Sequence, residues 1–459
     1  MGVPVNVGDR VLVATSTAGT GAYDLGAAVS GYLTPALAGV TSGSRVAYVV
    51  VDSLTNPSLF EIGEGTYTSA ATPTVSRTLI VRNTTGGTSA VNWSSGTKYL
   101  FLAPSASRFV VYDTDGGLVL NDASISGVAS INSGPLAGFR NAIINGNFDI
   151  WQRGTSFSNP DASTFSSDRW VINFDGSGAT RTISRQAFTL GQTAVPGEPT
   201  YFYRFNHSVA GSGSTFNVII QRIEDVRTFA GQQVTLSFYA KAAASLTMPD
   251  LSIQQHFGTG GSPSAFVGTN FGASTVVGTS FTKYTFTVTL PSLSGKTLGT
   301  DNNSFLDLVF GLPNNTTFTF DLAQVQLEVG SVATPFERRP LGVELALCQR
   351  YFQKSYPIDT SPGTSSFSGA VSKSPDATTN FAHFGPIRFQ TTMRASPSIS
   401  LFNTQTGATL NPIRNENTST DVPSVVYNIG VGGFSVYVDN TSVAGANLMS
   451  TNYTASAEL

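Results

Sequence analysis

The run VTLSFYAK at residues 234–241 places Val234, Leu236, Phe238 and Ala240 on one side and Thr235, Ser237, Tyr239 and Lys241 on the other. Successive side chains take opposite sides only in an extended strand, so this run is committed to a sheet with one apolar and one polar face. YTFTVTL repeats the pattern, with Tyr284, Phe286, Val288 and Leu290 opposed to Thr285, Thr287 and Thr289. Antiparallel sheets with one wet side carry such alternation. In FTFDLAQVQLE (318–328) the apolar phase breaks: Phe318, Phe320 and Leu322 are in step, then Val325 and Leu327 fall one residue out. A one-residue slip turns every later side chain over, so the shift predicts a β-bulge near Ala323–Gln324.

Short apolar runs between turn clusters recur along all 459 residues, too much chain for one core at roughly 100–200 residues per domain. Only 12% of the residues are charged, against about 25% in an ordinary globular protein. With 46 glycines and 11% aromatics, the chain suits many short strands and tight turns rather than disorder. Residues 1–115 form a first β module, with RVAYVVVD (45–52), RTLIVR (77–82), KYLFLA (98–103) and RFVVYD (108–113) as strands. Residues 116–140 form a connector whose Leu118, Leu120, Ile125, Val128 and Ile131 would need partners from neighbouring chains.

Residues 141–338 make the largest module. A linking helix occupies 339–356: in PLGVELALCQRYFQKS, Leu341, Leu345, Cys348 and Phe352 fall on one stripe between Pro340 and Pro357. It is too short for an independent coiled coil and is expected to dock on the module, with some contact between chains. Residues 357–459, with IRFQ, SISLF, SVVYNIG and FSVYVD as strands, form the last module. The expected fold is mainly β, with an N-terminal β module, a central jelly-roll β-sandwich and a C-terminal β-sandwich.

A net charge of −3 offers no attraction for phosphate backbones, so nucleic acid is not an expected partner. The single Cys348 cannot form an internal disulfide, which fits assembly in a reducing cytoplasm. MGVPVNVGDRVLV lacks the basic and apolar blocks of a secretory signal, and Asn6 breaks the myristoylation pattern. No run reaches about 18 apolar residues, so no membrane insertion is expected.

Five strings carry a more specific signal: NAIINGNFDIWQRGTSF (141–157), SSDRW (166–170), QRIEDVRTFAGQQVTLSFYAKA (221–242), HFGTGGSPS (256–264) and VQLEVGSVATPFERRPLGVELALCQRYFQK (325–354). Together they resemble a module recurring in tail-fibre and related tail proteins of tailed bacteriophages, itself similar to the jelly-roll carbohydrate-binding modules. The flanks add weaker likenesses, through EIGEGTYT, TVSRTLIV and NWSSGTKYLFLAP before it and FQTTMRASPSISLFN (389–403) after it. The resemblance implies a virion structural protein, a tail fibre or tail-tip adhesin that binds a host surface glycan without catalysis. It further implies a homotrimer, attachment to other tail or baseplate proteins through residues 1–115, and a place on the virion tail after synthesis in the host cytoplasm. Two readings stand beside it: a purely structural head-fibre or collar component, and a glycan depolymerase.

No cofactor is required, but such jelly rolls often hold a structural calcium, and Asp149 and Asp321 occupy the matching places. Two carboxylates are few for that ion, and ordinary turn or edge roles fit both. Sugars are held by aromatic faces with polar groups around them, which makes Tyr239, Tyr201, Tyr203, Trp151 and Trp170 the candidate rings. Tyr239 leads, being on the polar face of its strand; Trp151 and Trp170 also suit core packing. No catalytic residues are expected. Glu224 and Asp225 are adjacent and point opposite ways on a strand, His207, His256 and His383 are scattered, and Cys348 falls on the apolar stripe of its helix. HFGTGGSPS lacks the lysine and helix start of a phosphate cradle and reads as a turn.

Overall fold

Strand accounts for 43% of the chain and helix for 2%, so the fold is mainly β, as the alternating faces require. The computed structural model describes residues 5–6, 8–103, 111–112, 118–119, 138–272, 274–374, 381–409, 412–439 and 447–459. The packing expected of Leu118, Leu120, Ile125, Val128 and Ile131 concerns side chains outside the described residues, as does most of RFVVYD. Two compact units emerge, Met1–Ser126 and Gly127–Leu459.

In the first unit, strands β1 (Leu12–Thr15), β2 (Arg45–Val51), β3 (Phe60–Thr68), β4 (Leu79–Asn83) and β5 (Lys98–Leu102) pair antiparallel in the order β1-β5-β2-β3-β4. Its core includes Val13, Tyr23, Val46, Tyr48, Tyr67, Trp93 and Leu100. A carboxylate sits among these rings. Glu61 is fully buried and accepts hydrogen bonds from Tyr23 Oη (2.8 Å), Tyr48 Oη (3.0 Å), Arg77 Nε (2.9 Å) and the Val91 amide (2.7 Å). Arg77 supplies the counter-charge, and Trp93 Nε1 donates to Tyr23 Oη at 2.8 Å. Burial, and then the neighbouring Glu61 carboxylate, push the Tyr23 and Tyr48 phenols far above the usual tyrosine range, so both remain donors. Gly65 of the same strand must lack a side chain, because a Cβ there would lie 1.6 Å from the Ser76 carbonyl oxygen.

The second unit opens with two facing antiparallel sheets. One contains β6 (Ser156–Ser158), β8 (Thr180–Ala187), β9 (Tyr201–Val209), β11 (Gln233–Ala242), β14 (Thr282–Thr289) and β16 (Phe318–Val329), in the order β6-β8-β9-β16-β11-β14. The other contains β7 (Trp170–Phe174), β10 (Asn217–Glu224), β12 (Leu251–His256), β13 (Val267–Asn270) and β15 (Phe305–Gly311), in the order β7-β10-β15-β12-β13. Between them lies one core with Phe148, Trp151, Trp170, Tyr203, Phe238, Phe310 and Phe320. The in-phase residues Val234, Leu236, Phe238 and Ala240 are all fully buried in it.

The predicted bulge is present. Ser237 pairs with Gln326 while Tyr239 pairs with Ala323, so β16 carries one extra residue at this point. Gln324 takes the left-handed conformation, φ 47°, and its amide donates to the Pro196 carbonyl at 2.8 Å. The bulge also changes β16's neighbour. Before it, residues 318–322 pair with β9; beyond it, the incoming segment takes that edge, with Val325 N donating to Gly146 O (2.9 Å) and Ala142 N to Leu327 O (2.9 Å).

The polar face of β11 is not wet where expected, since Thr235 and Ser237 are buried. Their β16 neighbours Glu328 and Gln326 fasten the returning chain over them. Thr334 donates to Glu328 at 2.6 Å and 2.9 Å, the Glu337 amide donates to Gln326 Oε1 at 2.8 Å, and the Asn141 amide donates to Glu337 at 2.8 Å. Within the string VQLEVGSVATPFE, Gln326, Glu328, Thr334 and Glu337 form a buried polar clasp.

The helix is shorter than its apolar stripe predicts. α1 spans Leu341–Gln349 with Pro340 as N-cap, and Cys348 is its one buried residue while Leu341 is 59% exposed. The chain then turns into β17 (Phe352–Lys354), which pairs with β23 (Met449–Ser456) of the last sheet. Phe352 pairs with Ser456 of β23 instead of continuing the helix, so the 339–356 helix ends early. It docks on the sandwich through Arg350, just past its end, whose guanidinium grips Glu224 of β10 at 2.8 and 2.9 Å. That last sheet also holds β18 (Phe381–Arg388), β19 (Ser398–Phe402), β20 (Pro412–Asn415), β21 (Thr420–Gly430) and β22 (Gly433–Asp439), around Phe434, Val436 and Leu401.

A buried ionic cluster joins this sheet to the sandwich. Asp168 accepts from the Gln152 amide (2.6 Å) and Gln152 Nε2 (2.8 Å), while Glu458 pairs with Arg153 (2.9 Å) and Arg169. The two guanidinium groups lie over Phe352 (3.7 Å) and Tyr351 (3.4 Å). Glu61 tests how the first unit is held. Glu61→Ala leaves Arg77 buried without its carboxylate, which should cost about 3–5 kcal/mol. Hydrogen exchange across residues 45–51 should then rise sharply in the intact chain, while residues 201–209 stay protected.

Candidate functional site

The segment 141–150 wraps the edge of β16 and leaves a hollow outside it. Asn141 is its anchor: Oδ1 accepts from Ile143 N and Leu327 N, both at 3.0 Å, and Nδ2 donates to Val325 O at 3.1 Å. Asn145 turns the chain in the left-handed conformation (φ 56°), and its side chain bonds Ile150 N (3.0 Å), Ile150 O (2.8 Å) and Ser167 Oγ (2.8 Å). Gly146 follows, where a Cβ would come within 2.2 Å of Val325 O. Asn147 and Asp149 then face a cavity of about 550 Å³, closed by Arg185, Tyr201, residues 336–341 and Asp359.

The chemistry of this cavity is mixed. Asn147 is 7% exposed and its Oδ1 has no hydrogen-bond partner, while its Nδ2 donates to Asp149 Oδ2 at 2.8 Å. Burial raises the Asp149 carboxyl above the usual range, opposed by the Asn147 amide and by Arg338 and Arg185. The Arg185 guanidinium lies 4.2 Å from the centre of the Tyr201 ring. Glu344 is committed to structure: it accepts from the Asn145 amide and from Arg339 Nη1 at 3.2 Å. Burial raises its carboxyl too, against those two partners. The cavity thus gathers the Tyr201 ring with Arg185 over it, the unpartnered Asn147 Oδ1, the Asp149 and Asp359 carboxylates, and the Arg338 guanidinium. Such groups can bond the hydroxyls of a ligand.

Of the five candidate rings, Tyr201 is at this cavity. Trp151, Trp170 and Tyr203 are not available to a ligand. All three are buried in the core, with Trp151 Nε1 donating to Phe148 O (2.7 Å), Trp170 Nε1 to Asn145 O (3.2 Å) and Tyr203 Oη 3.0 Å from Ser166 Oγ. Tyr201 and Tyr203 share one side of β9, but Tyr203 lies inside the sandwich and Tyr201 at its margin. Tyr239 is half-buried between Lys283 and Ala323 on the neighbouring strands, away from the cavity.

The two calcium candidates do not meet in one cavity. Asp149 lines the hollow, while both oxygens of Asp321 are held by Arg204 at 2.7 and 2.8 Å, with Lys241 at 3.7 Å. Among the described residues no group of three or more His, Cys, Asp and Glu side chains could hold a metal ion.

Sequence reasoning missed Asn147, Arg185 and Arg338. The Asn-Gly dipeptide at 145–146 marks the turn that aims Asn147, but nothing local marks Arg185. It also missed Asp307, buried on β15, which pairs with Arg222 at 3.2 Å and His256 Nε2 at 3.5 Å. The ring of His256 stacks on Phe305 (4.6 Å) and Phe266 (5.3 Å). Glu224 is taken by Arg350, and burial pushes the Cys348 thiol well above its ordinary range, as an inert core thiol requires.

No protein-family model matches the chain, and none of the curated proteins matches it either. Among solved structures, an enzymatically active domain of bacteriophage CBA120 tailspike protein 4 is similar at 14% identity and TM-score 0.26, over 43% of this chain and 22% of that one. A family 4 carbohydrate-binding module is similar at 18% identity and TM-score 0.23, over 40% of this chain and 98% of that one. A xylan-binding CBM22 domain from Paenibacillus barcinonensis Xyn10C gives 11% identity and TM-score 0.24, over 39% and 99%. The chain therefore spans under a quarter of that tailspike domain's length, and likenesses of this size carry no argument about function.

Asp307 supplies a pH test. Burial, only partly offset by Arg222, pushes its carboxyl up from 3.8 to about 6. The folded state then holds a proton that the unfolded state has released between about pH 4 and pH 6. Its contribution, on the order of 3 kcal/mol, is full below that window and is lost as pH rises through it. Carboxyl carbon NMR of Asp307 should titrate near pH 6, and Asp307→Asn should flatten the fall in stability across the window.

Proposed function

We propose that this chain is a bacteriophage virion structural protein, a tail fibre or tail-tip adhesin, that binds a host surface glycan in the Tyr201–Asp149 cavity without catalysis. The observation that carries glycan binding is the unpartnered, buried Asn147 Oδ1 beside the Asp149 carboxylate and the Tyr201 ring. A sugar ring presents a C–H face to an aromatic and hydroxyl donors to such acceptors, while Arg185 and Arg338 donate to its oxygens. A volume of about 550 Å³ accommodates one or two sugar units. The five motif strings support the tail-fibre role. The commitment of Glu344 to Arg339 and Asn145 supports binding without acid–base chemistry.

On this reading the chain acts as a homotrimer on the virion tail, made in the host cytoplasm. Residues 1–115 attach to other tail or baseplate proteins, and the second unit meets the host. Calcium is not needed at Asp321, whose oxygens already hold cations, so a chelator should leave the melting temperature unchanged. A purely structural role draws support from one observation: most side chains of the motif strings serve internal packing, as the buried Trp151, Asp168 and Gln326 show.

Titration calorimetry with host polysaccharide fragments separates these readings. The intact chain should bind, and Tyr201→Ala, at a half-buried margin, should weaken binding about tenfold without lowering stability. Adsorption unchanged in phage carrying this variant would leave only the structural role. Incubation of the protein with the polysaccharide should release no reducing ends; release would make it a depolymerase.

A further inference from the structure

A second hollow lies at the other end of β9, six residues or about 20 Å from Tyr201. Its volume is about 570 Å³, and its walls are residues 206–208, 243–247, Pro313 and 316–319. Not one of these residues carries a formal charge. Ser208, Ser245, Thr247, Thr316 and Thr317 bring hydroxyls to the wall, and Phe318 brings a half-buried ring.

His207 is the most deeply buried of the lining residues, fully closed from solvent, and neither ring nitrogen has a hydrogen-bond partner. Burial, and then the Arg181 guanidinium, push the imidazole below the usual histidine range, so the ring is neutral at physiological pH. A neutral imidazole carries one donor and one acceptor, which leaves two hydrogen bonds unmade. Arg181 pairs with His207 across β8 and β9, but its guanidinium lies over the Phe174 ring at 3.8 Å and forms no part of the wall. A carboxylate entering the hollow would therefore lose water without meeting a cation, which is costly. Hydroxyls suffer no such penalty. Each can donate to one imidazole nitrogen or accept from the other, and buried polar groups are almost always bonded.

We propose that this hollow is a second binding site, for one neutral pyranose unit. One sugar hydroxyl donates to the bare nitrogen of His207 and another accepts from its N–H. The wall hydroxyls bond those that remain, and Phe318 takes the C–H face of the ring. The site shares no lining residue with the Tyr201 cavity, whose walls carry Asp149, Arg185, Arg338 and Asp359. The two sites thus differ in charge, and either can fail alone.

The test is calorimetry on the full chain with two matched pairs, D-glucose with D-glucuronate and D-galactose with D-galacturonate. At least one hexose should bind, and its uronate should bind at least about tenfold more weakly for want of a cation in the wall. Ala244→Trp fills the mouth from an exposed position and should abolish hexose binding. His207→Leu removes both unmade bonds, so it should keep the melting temperature at or above that of the parent chain while weakening the hexose at least about tenfold. Tyr201→Ala should leave this binding unchanged. No binding by either hexose would mean that the hollow holds water only and would overturn the proposal. So would a uronate that binds as tightly as its hexose, full binding by Ala244→Trp or His207→Leu, or binding lost in Tyr201→Ala.

Discussion

One extra residue in β16 governs how the second unit is built. With Gln324 in the left-handed conformation, the strand changes phase and its edge passes from β9 to residues 141–146. Asn141 and Gly146 owe their roles to this exchange, since one bonds to and the other crowds against backbone near the bulge. The hollow bearing Asn147 and Asp149 lies where β9 has let go and the new segment has just arrived. Without the bulge, β9 would run on along β16 and Tyr201 would have no hollow to face. A local irregularity of the kind that sheets concentrate at functional edges positions this cavity.

Much of this was legible because strand alternation is a local property. Val234 to Ala240 declare their inner face in sequence, and the phase break after Leu322 declares the bulge. What stayed hidden depends on what arrives from elsewhere. Thr235 and Ser237 read as wet because no pattern shows that residues 326–337 fold back over them. Phe352 continues the apolar stripe of the helix, yet a strand starting at Met449 claims it. Trp151, Trp170 and Tyr203 are rings of the same kind as Tyr201, and only their position in the sandwich separates core from margin. Arg185 and Arg181 leave no local mark, since an arginine on a strand is ordinarily a solvated one.

Polar groups inside this protein divide into those that are answered and those that are not. Glu61 accepts from two tyrosines, an arginine and an amide, and Glu328 clasps Thr334; such groups fix one arrangement because any other would strand a buried charge. Asn147 Oδ1 and the nitrogens of His207 are unanswered, and both line hollows. A binding surface on a stable β scaffold takes this form, with satisfied networks holding a few unsatisfied atoms in place.

The ionic cluster at Glu458 has a bearing on how the molecule comes into being. Arg153 and its partner Glu458 are 305 residues apart, a gap that takes roughly 15 to 60 s to translate at about 5–20 residues per second. Through that interval two arginines of the sandwich lack their shared carboxylate. The stretch that carries Glu458 is the one that seals it. A ribosome that stalls before Glu458 would leave a sandwich whose Arg153 and Arg169 lack that carboxylate.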